Sequence, residues 1–123
     1  MELLKFARET DLADLPFVKM WILQLIAQRP DLCDAKEAMA LADTGTKVLG
    51  VRPLAMMARA YRQLDWVRAK KEIWRNHEPW DRRAVIFASS VLPSGEKRPF
   101  LTMVAEQGDV LDAAVAKFLL SHN

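Results

Sequence analysis

Few side chains in this sequence are suited to covalent chemistry. One cysteine, Cys33, and two histidines, His77 and His122, stand far apart in 123 residues. A metal site needs Cys, His or carboxylates at ligand spacing, and neither C-x-x-C nor H-x-x-x-H occurs. Nucleophilic catalysis needs a Cys or Ser beside a His that an acid orients, and nothing marks Cys33 and His77 as such partners. Glu72 and Glu78 have no spacing typical of an acid/base pair. No glycine-rich phosphate loop follows a strand. The expectation is no catalytic residue, no metal and no cofactor, and hence no independent enzyme. His77 at a helix C-terminus reads as a dipole partner or cap. A single cysteine excludes an internal disulfide and suits a reducing compartment, where Cys33 is expected as a small buried apolar residue.

The residues that remain are basic and aromatic. Arg59, Arg62, Arg68, Lys70, Lys71, Arg75, Arg82 and Arg83 run through a stretch that also holds Trp66, Trp74 and Trp80. Guanidinium and ammonium groups hold phosphates, and indoles stack on bases. Residues 1–46 carry five Lys or Arg against eight Asp or Glu, a net −3, and the remainder carries thirteen against eight, a net +5. Such asymmetry steers an anionic partner toward one end. Arg59, Arg62, Arg68, Lys71, Arg75, Arg82 and Arg83 are therefore the candidate contacts to RNA, DNA or a partner subunit. In a stacked helical array Arg59, Arg62, Arg82 and Arg83 share one surface, and Arg68, Lys71 and Arg75 the other. The tryptophans fall on apolar faces and are expected in the core.

The elements that position these residues are helices. Half of the residues are hydrophobic, too many for a disordered chain, and four glycines with little β-branched alternation argue against a sheet. The periodicity predicts helices over 15–28 (Asp14 as cap, Pro16 in the first turn), 35–42 (Asp34 and Glu37 as a capping box), 53–63 and 65–76 (capped by Asp65). It continues with 79–92 and 110–120 (capped by Asp109). Ser94 reads as a cap, with Pro99 separating a turn at Ser94–Arg98 from a helix over Pro99–Glu106. Residues 2–9 read as two turns that dock through Leu3, Leu4 and Phe6, and Gly45 as a helix exit. Inward faces are Ala35, Ala38, Met39 and Ala42; Leu54, Met57, Ala58, Tyr61 and Leu64; Trp66, Ala69, Ile73 and Trp74; and Trp80, Ala84, Phe87, Ala88 and Val91. The fold class is all-α: about seven short antiparallel helices in a HEAT-like helical-repeat array, one domain over 1–123 or a segment of a longer protein. The helices over 15–28 and 110–120 are apolar nearly all round, so each is either enclosed or meets a second copy in a homodimer. The longest apolar stretch, Phe17 to Ala27, holds Lys19 and Gln24 and falls short of the roughly 18 residues of a membrane span. The expectation is a soluble, cytoplasmic protein without a membrane partner.

Trp80-Asp81-Arg82-Arg83-Ala84 through Ser90-Val91-Leu92-Pro93, then Glu96-Lys97-Arg98-Pro99-Phe100-Leu101, resembles the C-terminal helical accessory region of bacterial reverse-transcriptase-like proteins, some linked to phage defence. The similarity spans roughly the second half of the chain. It implies a helical domain beside a polymerase, touching template–product nucleic acid, the polymerase domain or a neighbouring subunit. The polymerase motif Tyr-x-Asp-Asp is absent, so no polymerase residue carries over. The resulting reading is a non-catalytic interaction module of a nucleic-acid-processing protein. The alternative is a stand-alone protein-binding or homodimerising adaptor with no nucleic-acid role.

Overall fold

The computed structural model describes residues 16–44 and 49–122. Among them are seven α-helices and no strand: α1 (Pro16–Gln28), α2 (Ala35–Asp43), α3 (Arg52–Ala60), α4 (Leu64–Glu72), α5 (Pro79–Ala88), α6 (Ser94–Gln107) and α7 (Val110–Ser121). Single 3-10 turns follow α1, α4 and α5 at Pro30–Leu32, Trp74–Asn76 and Ser89–Val91. The protein is all-α. No helix among the described residues is long and apolar enough to cross a membrane. The docking turns with Leu3, Leu4 and Phe6, the Asp14 cap and the Gly45 exit lie outside the described residues.

The chain divides into two compact units, residues 1–61 and 62–123. In the first, Ile22, Leu23 and Ile26 recur at helical spacing on α1 and are fully buried. They pack against Ala38 and Ala42 of α2 and Met57 of α3. Two alanines on successive turns of α2 leave no side chain in the way of close approach. Asp34 starts α2: its Oδ1 accepts the Glu37 N–H at 2.8 Å, a cap that contributes about 1 kcal/mol. The Tyr61 hydroxyl lies 2.8 Å from the Cys33 carbonyl and 3.1 Å from that of Pro30, and donates to them. Burial of the ring, then the neighbouring Cys33, pushes the phenol up to about 12, so it stays protonated and remains a donor. Cys33 is buried, with its thiol directed at the Asp34 carbonyl oxygen. α1 leaves one stripe bare: Phe17 and Trp21 face outward with Gln24 and Gln28, while the covered sides take in Met20, Ile22, Leu23, Ile26 and even Lys19, 2% exposed.

From Ala60 onward the helix breaks depart from the sequence pattern in three places. The helix expected through Gln63 ends at Ala60, and Arg62 takes a left-handed φ of 52°, which costs a non-glycine residue roughly 1 kcal/mol. Leu64 donates its N–H back to the Arg62 carbonyl at 3.0 Å and starts α4, so Asp65 sits inside the first turn and is no cap. Ser94 is likewise the first residue of α6, with Pro93 before it. Third, α6 runs unbroken through Pro99. Proline there deprives only the Gly95 carbonyl of its helical partner. Gly95 and Pro99 are both exposed, where a lost backbone bond costs least, while Phe100, Leu101 and Val104 are buried and hold the helix in place. Gly108 closes α6 because the chain passes close to it: a Cβ there meets the Val104 carbonyl oxygen at 2.6 Å. Asp109 then caps α7, accepting the Asp112 N–H at 2.8 Å.

Two helical faces also differ from expectation. α4 buries Val67, and the following turn buries Trp74, while Ala69 and Ile73 are exposed. α5 buries Val85, Ile86 and Ala88, while Trp80 and Phe87 face outward. Both helices carry apolar residues on several sides, so apolar spacing alone left their rotation undetermined.

Candidate interaction site

Arg82 and Arg83, the last two cations of the basic stretch, are committed to α7. Arg82 Nε donates to Asp112 Oδ2 at 2.7 Å and its Nη2 to Asp109 Oδ2 at 2.7 Å. Arg83 Nε donates to Asp112 Oδ1 at 3.2 Å. Asp112 is 1% exposed, so its carboxylate is a buried charge shared between two guanidiniums. Such a carboxylate is costly to bury unless both oxygens are bonded, and here both are. The hydrogen bond to Asp112 raises the Arg82 pKa above its ordinary value. The Asp112 backbone N–H, with the nearby arginines, holds the Asp109 carboxyl below the usual range. Arg82 Nη1 also donates to the His77 carbonyl at 3.3 Å. The two arginines thus set the rotation of α5 and its attachment to α7, and their charge is spent inside the unit.

Arg68, Lys71 and Arg75 come together, as expected, along one side of α4 and the turn after it. All three face α6. Arg68 forms a two-pronged bond with Glu96, at 2.7 and 3.0 Å, and reaches Asp65 at 3.3 Å. The Arg68 bond lowers the Glu96 pKa, and the same bond raises that of Arg68. Lys71 donates to Glu72 at 3.1 Å and lies 6.0 Å from the Phe100 ring. Arg75 bonds neutral atoms, Gln107 Oε1 and the Met103 sulfur, and its guanidinium sits 5.5 Å from the Trp74 ring. Between these elements runs an open groove of about 720 Å³. Its floor is the edge-to-face pair of Trp74 and Phe100, with centroids 6.1 Å apart. Trp74 is therefore a core residue, and no base can stack on its face.

Arg62 donates to the Val91 carbonyl at 3.2 Å. Arg59 is exposed on α3 and belongs to the first unit. The second unit holds ten Lys or Arg against eight Asp or Glu, a net +2. Burial lowers the pKa of His77, and its Nε2 is buried without a hydrogen-bond partner. Among the described residues no group of three or more His, Cys, Asp or Glu is placed to hold a metal ion.

Sequence reasoning left open whether the apolar surplus of α1 and α7 is enclosed, and it missed the outward turn of Trp80 and Phe87 on α5. Phe17 (87% exposed), Trp80 (69%) and Val110 (85%) stand in solvent, together with Trp21, Phe87, Leu111 and Phe118. The available signal was the excess of apolar residues around α1, α5 and α7, beyond what a single buried face uses. Comparison of the chain with known protein families, characterised proteins and solved structures found no match in any of the three.

Proposed function

We propose that the chain is a non-catalytic helical interaction module that recognises a protein partner through apolar side chains. The observation that carries this reading is the outward placement of Phe17, Trp21, Trp80, Phe87, Val110, Leu111 and Phe118, while Arg68, Arg82 and Arg83 are paired with carboxylates of their own unit. Isolated exposed apolar residues are ordinary, but indoles and phenyl rings of this number are typical of interface centres. A HEAT-like stacking of helix pairs suits the role, because repeat arrays recognise partners through faces their own neighbours leave open. The test is affinity purification of the tagged chain from cells that also carry an untagged copy, beside Phe17→Glu and Trp80→Glu variants. The expected result is a stoichiometric protein, either the untagged copy or another chain, lost in at least one variant. Recovery of the tagged chain alone, by itself and monomeric, overturns the reading.

A second reading has its own observation. Arg75 carries a charge met by neutral groups, and Lys71 stands beside it on the rim of the α4–α6 groove. These two cations support contact with a phosphate backbone, as implied by the resemblance to an accessory region of a reverse-transcriptase-like protein. Two phosphate contacts give weak, salt-sensitive binding. Fluorescence anisotropy of labelled RNA and single-stranded DNA at low and moderate salt tests it. Binding that falls with Arg75→Ala and with added salt supports it, and no binding at low salt removes it.

A further inference from the structure

The charges along the α4–α6 groove do not balance. Four charged residues line it: Lys71, Glu72, Arg75 and Glu96. Lys71 is paired with Glu72, and Glu96 with Arg68. Arg75 has no carboxylate. Among the described residues its guanidinium bonds the Gln107 amide oxygen and the Met103 sulfur, both neutral. Both bonds leave from Nη2, so Nε and Nη1 keep their N–H groups for a ligand. Arg75 is exposed. The groove therefore holds one positive charge in excess, at the end where α6 finishes.

Its form is that of a slot. The contacts Arg68–Glu96 and Arg75–Gln107 advance together along the chain, so α4 and the turn after it lie beside α6 in the same direction. From Glu96 to Gln107 α6 rises about 16 Å, the span of about five extended residues. The volume of about 720 Å³ falls within the roughly 300–1,000 Å³ of ligand sites. Ile73, Pro99 and Met103 give the walls apolar stretches, while Asn76 and Gln107 carry amides that both donate and accept. An extended peptide backbone presents N–H and C=O groups in turn and needs both.

We infer that this groove binds a short extended peptide of a partner protein, with a carboxylate of that peptide against Arg75. The inference rests on the protein-partner reading for the class of ligand and adds a second region of contact. Charge complementarity selects the occupant: one uncompensated guanidinium matches one carboxylate. A run of phosphates fits less well. Glu72 and Glu96 repel it along the same groove, and Trp74 and Phe100, 5% and 6% exposed, offer no ring face to a base. The carboxylate is either the end of the partner's chain or an Asp or Glu side chain, which present the same two oxygens.

A display library of random peptides with free C-termini, selected on the full chain, tests this. The enriched peptides are made with a fluorescent label and titrated by anisotropy. The expected peptides carry a carboxylate beside apolar residues. Arg75→Gln weakens their binding at least about tenfold, the loss of one charge-assisted hydrogen bond. It keeps the circular dichroism of the parent, because the Arg75 partners are neutral and at the surface. Arg98→Gln, exposed on α6 and outside the groove lining, leaves the affinity unchanged. In the unsubstituted chain the peptide shifts the side-chain amide resonances of Asn76 and Gln107. Amidation of the peptide C-terminus abolishes binding if the chain end is the source and spares it if a side chain is. No enriched peptide overturns the inference, as does an affinity indifferent to Arg75→Gln, or amide shifts confined to residues away from the groove. Labelled RNA held through Arg75 where no peptide binds overturns it in favour of the phosphate reading. A partner recovered by affinity purification while the groove takes no peptide leaves the protein-partner reading standing without this inference. Peptide binding with no partner lost in Phe17→Glu or Trp80→Glu does the reverse.

Discussion

The two units solve the same packing problem by different means. In the first, α1, α2 and α3 interlock through Ile22, Leu23, Ile26, Ala38, Ala42 and Met57, and a neutral polar tie runs from the Tyr61 hydroxyl to the Cys33 and Pro30 carbonyls. In the second, charged side chains pin α4 to α6 and α5 to α7, through Arg68 with Glu96 and through Arg82 and Arg83 with Asp109 and Asp112. The difference follows from side-chain distribution. A helix with small residues on one face has one obvious way to dock. A helix with large apolar residues on several sides, such as α5, has more than one, and a directional ionic contact selects among them. The excluded apolar residues are then left outside, and there they are free to meet a partner.

This contrast is open to three tests, taken from the largest expected effect downward. Leu23→Ala removes a fully buried side chain from the first unit and destabilises it by roughly 2–5 kcal/mol, read from urea unfolding. Its amide-exchange protection is lost in residues 16–61 and kept in α5–α7. Asp112→Ala does the converse. It takes from Arg82 and Arg83 their buried carboxylate, leaving them only Asp109, and costs about 3 kcal/mol, with exchange rising first in α5 and α7. If Asp112→Ala leaves α5 and α7 protected, apolar packing rather than the clamp fixes their rotation. The third effect is a pH dependence of the second unit. The folded pKa of His77 is depressed, chiefly by burial, so the unfolded chain takes up the proton first. Stability is therefore complete above the ordinary histidine range and declines as pH falls through about 6.5. Glu96 and Asp109 are also depressed, by the Arg68 bond and by the Asp112 N–H respectively. Their contribution is present above about pH 4 and is lost below it. Unfolding followed by circular dichroism between these limits shows two declines, and His77→Gln removes only the upper one.

Much of the scaffold was legible before any coordinates. Proline, glycine and capping aspartates act locally, so Asp34 and Asp109 start their helices, Pro79 opens one, and Gly108 ends one as the sequence suggests. The failures are non-local. Asp65 and Ser94 have the chemistry of caps, but the cap positions fall earlier, two residues back at Gln63 after a left-handed Arg62 and one residue back at Pro93. Pro99 should break a helix, yet buried Phe100, Leu101 and Val104 outweigh one lost hydrogen bond near an exposed first turn. The candidate site was read least well. Arg82 and Arg83 stand out as basic in the sequence because their carboxylate partners lie about thirty positions away on α7.

By itself the sequence determined a helical chain, its main breaks, and which residues are greasy or charged, since these depend on local backbone preference and on spacing along one helix. Tertiary structure alone decided which of several greasy sides α4 and α5 bury. That choice is made by groups distant in sequence, above all Asp112, and it determines which cations are spent within the unit and which aromatic rings are left for a partner.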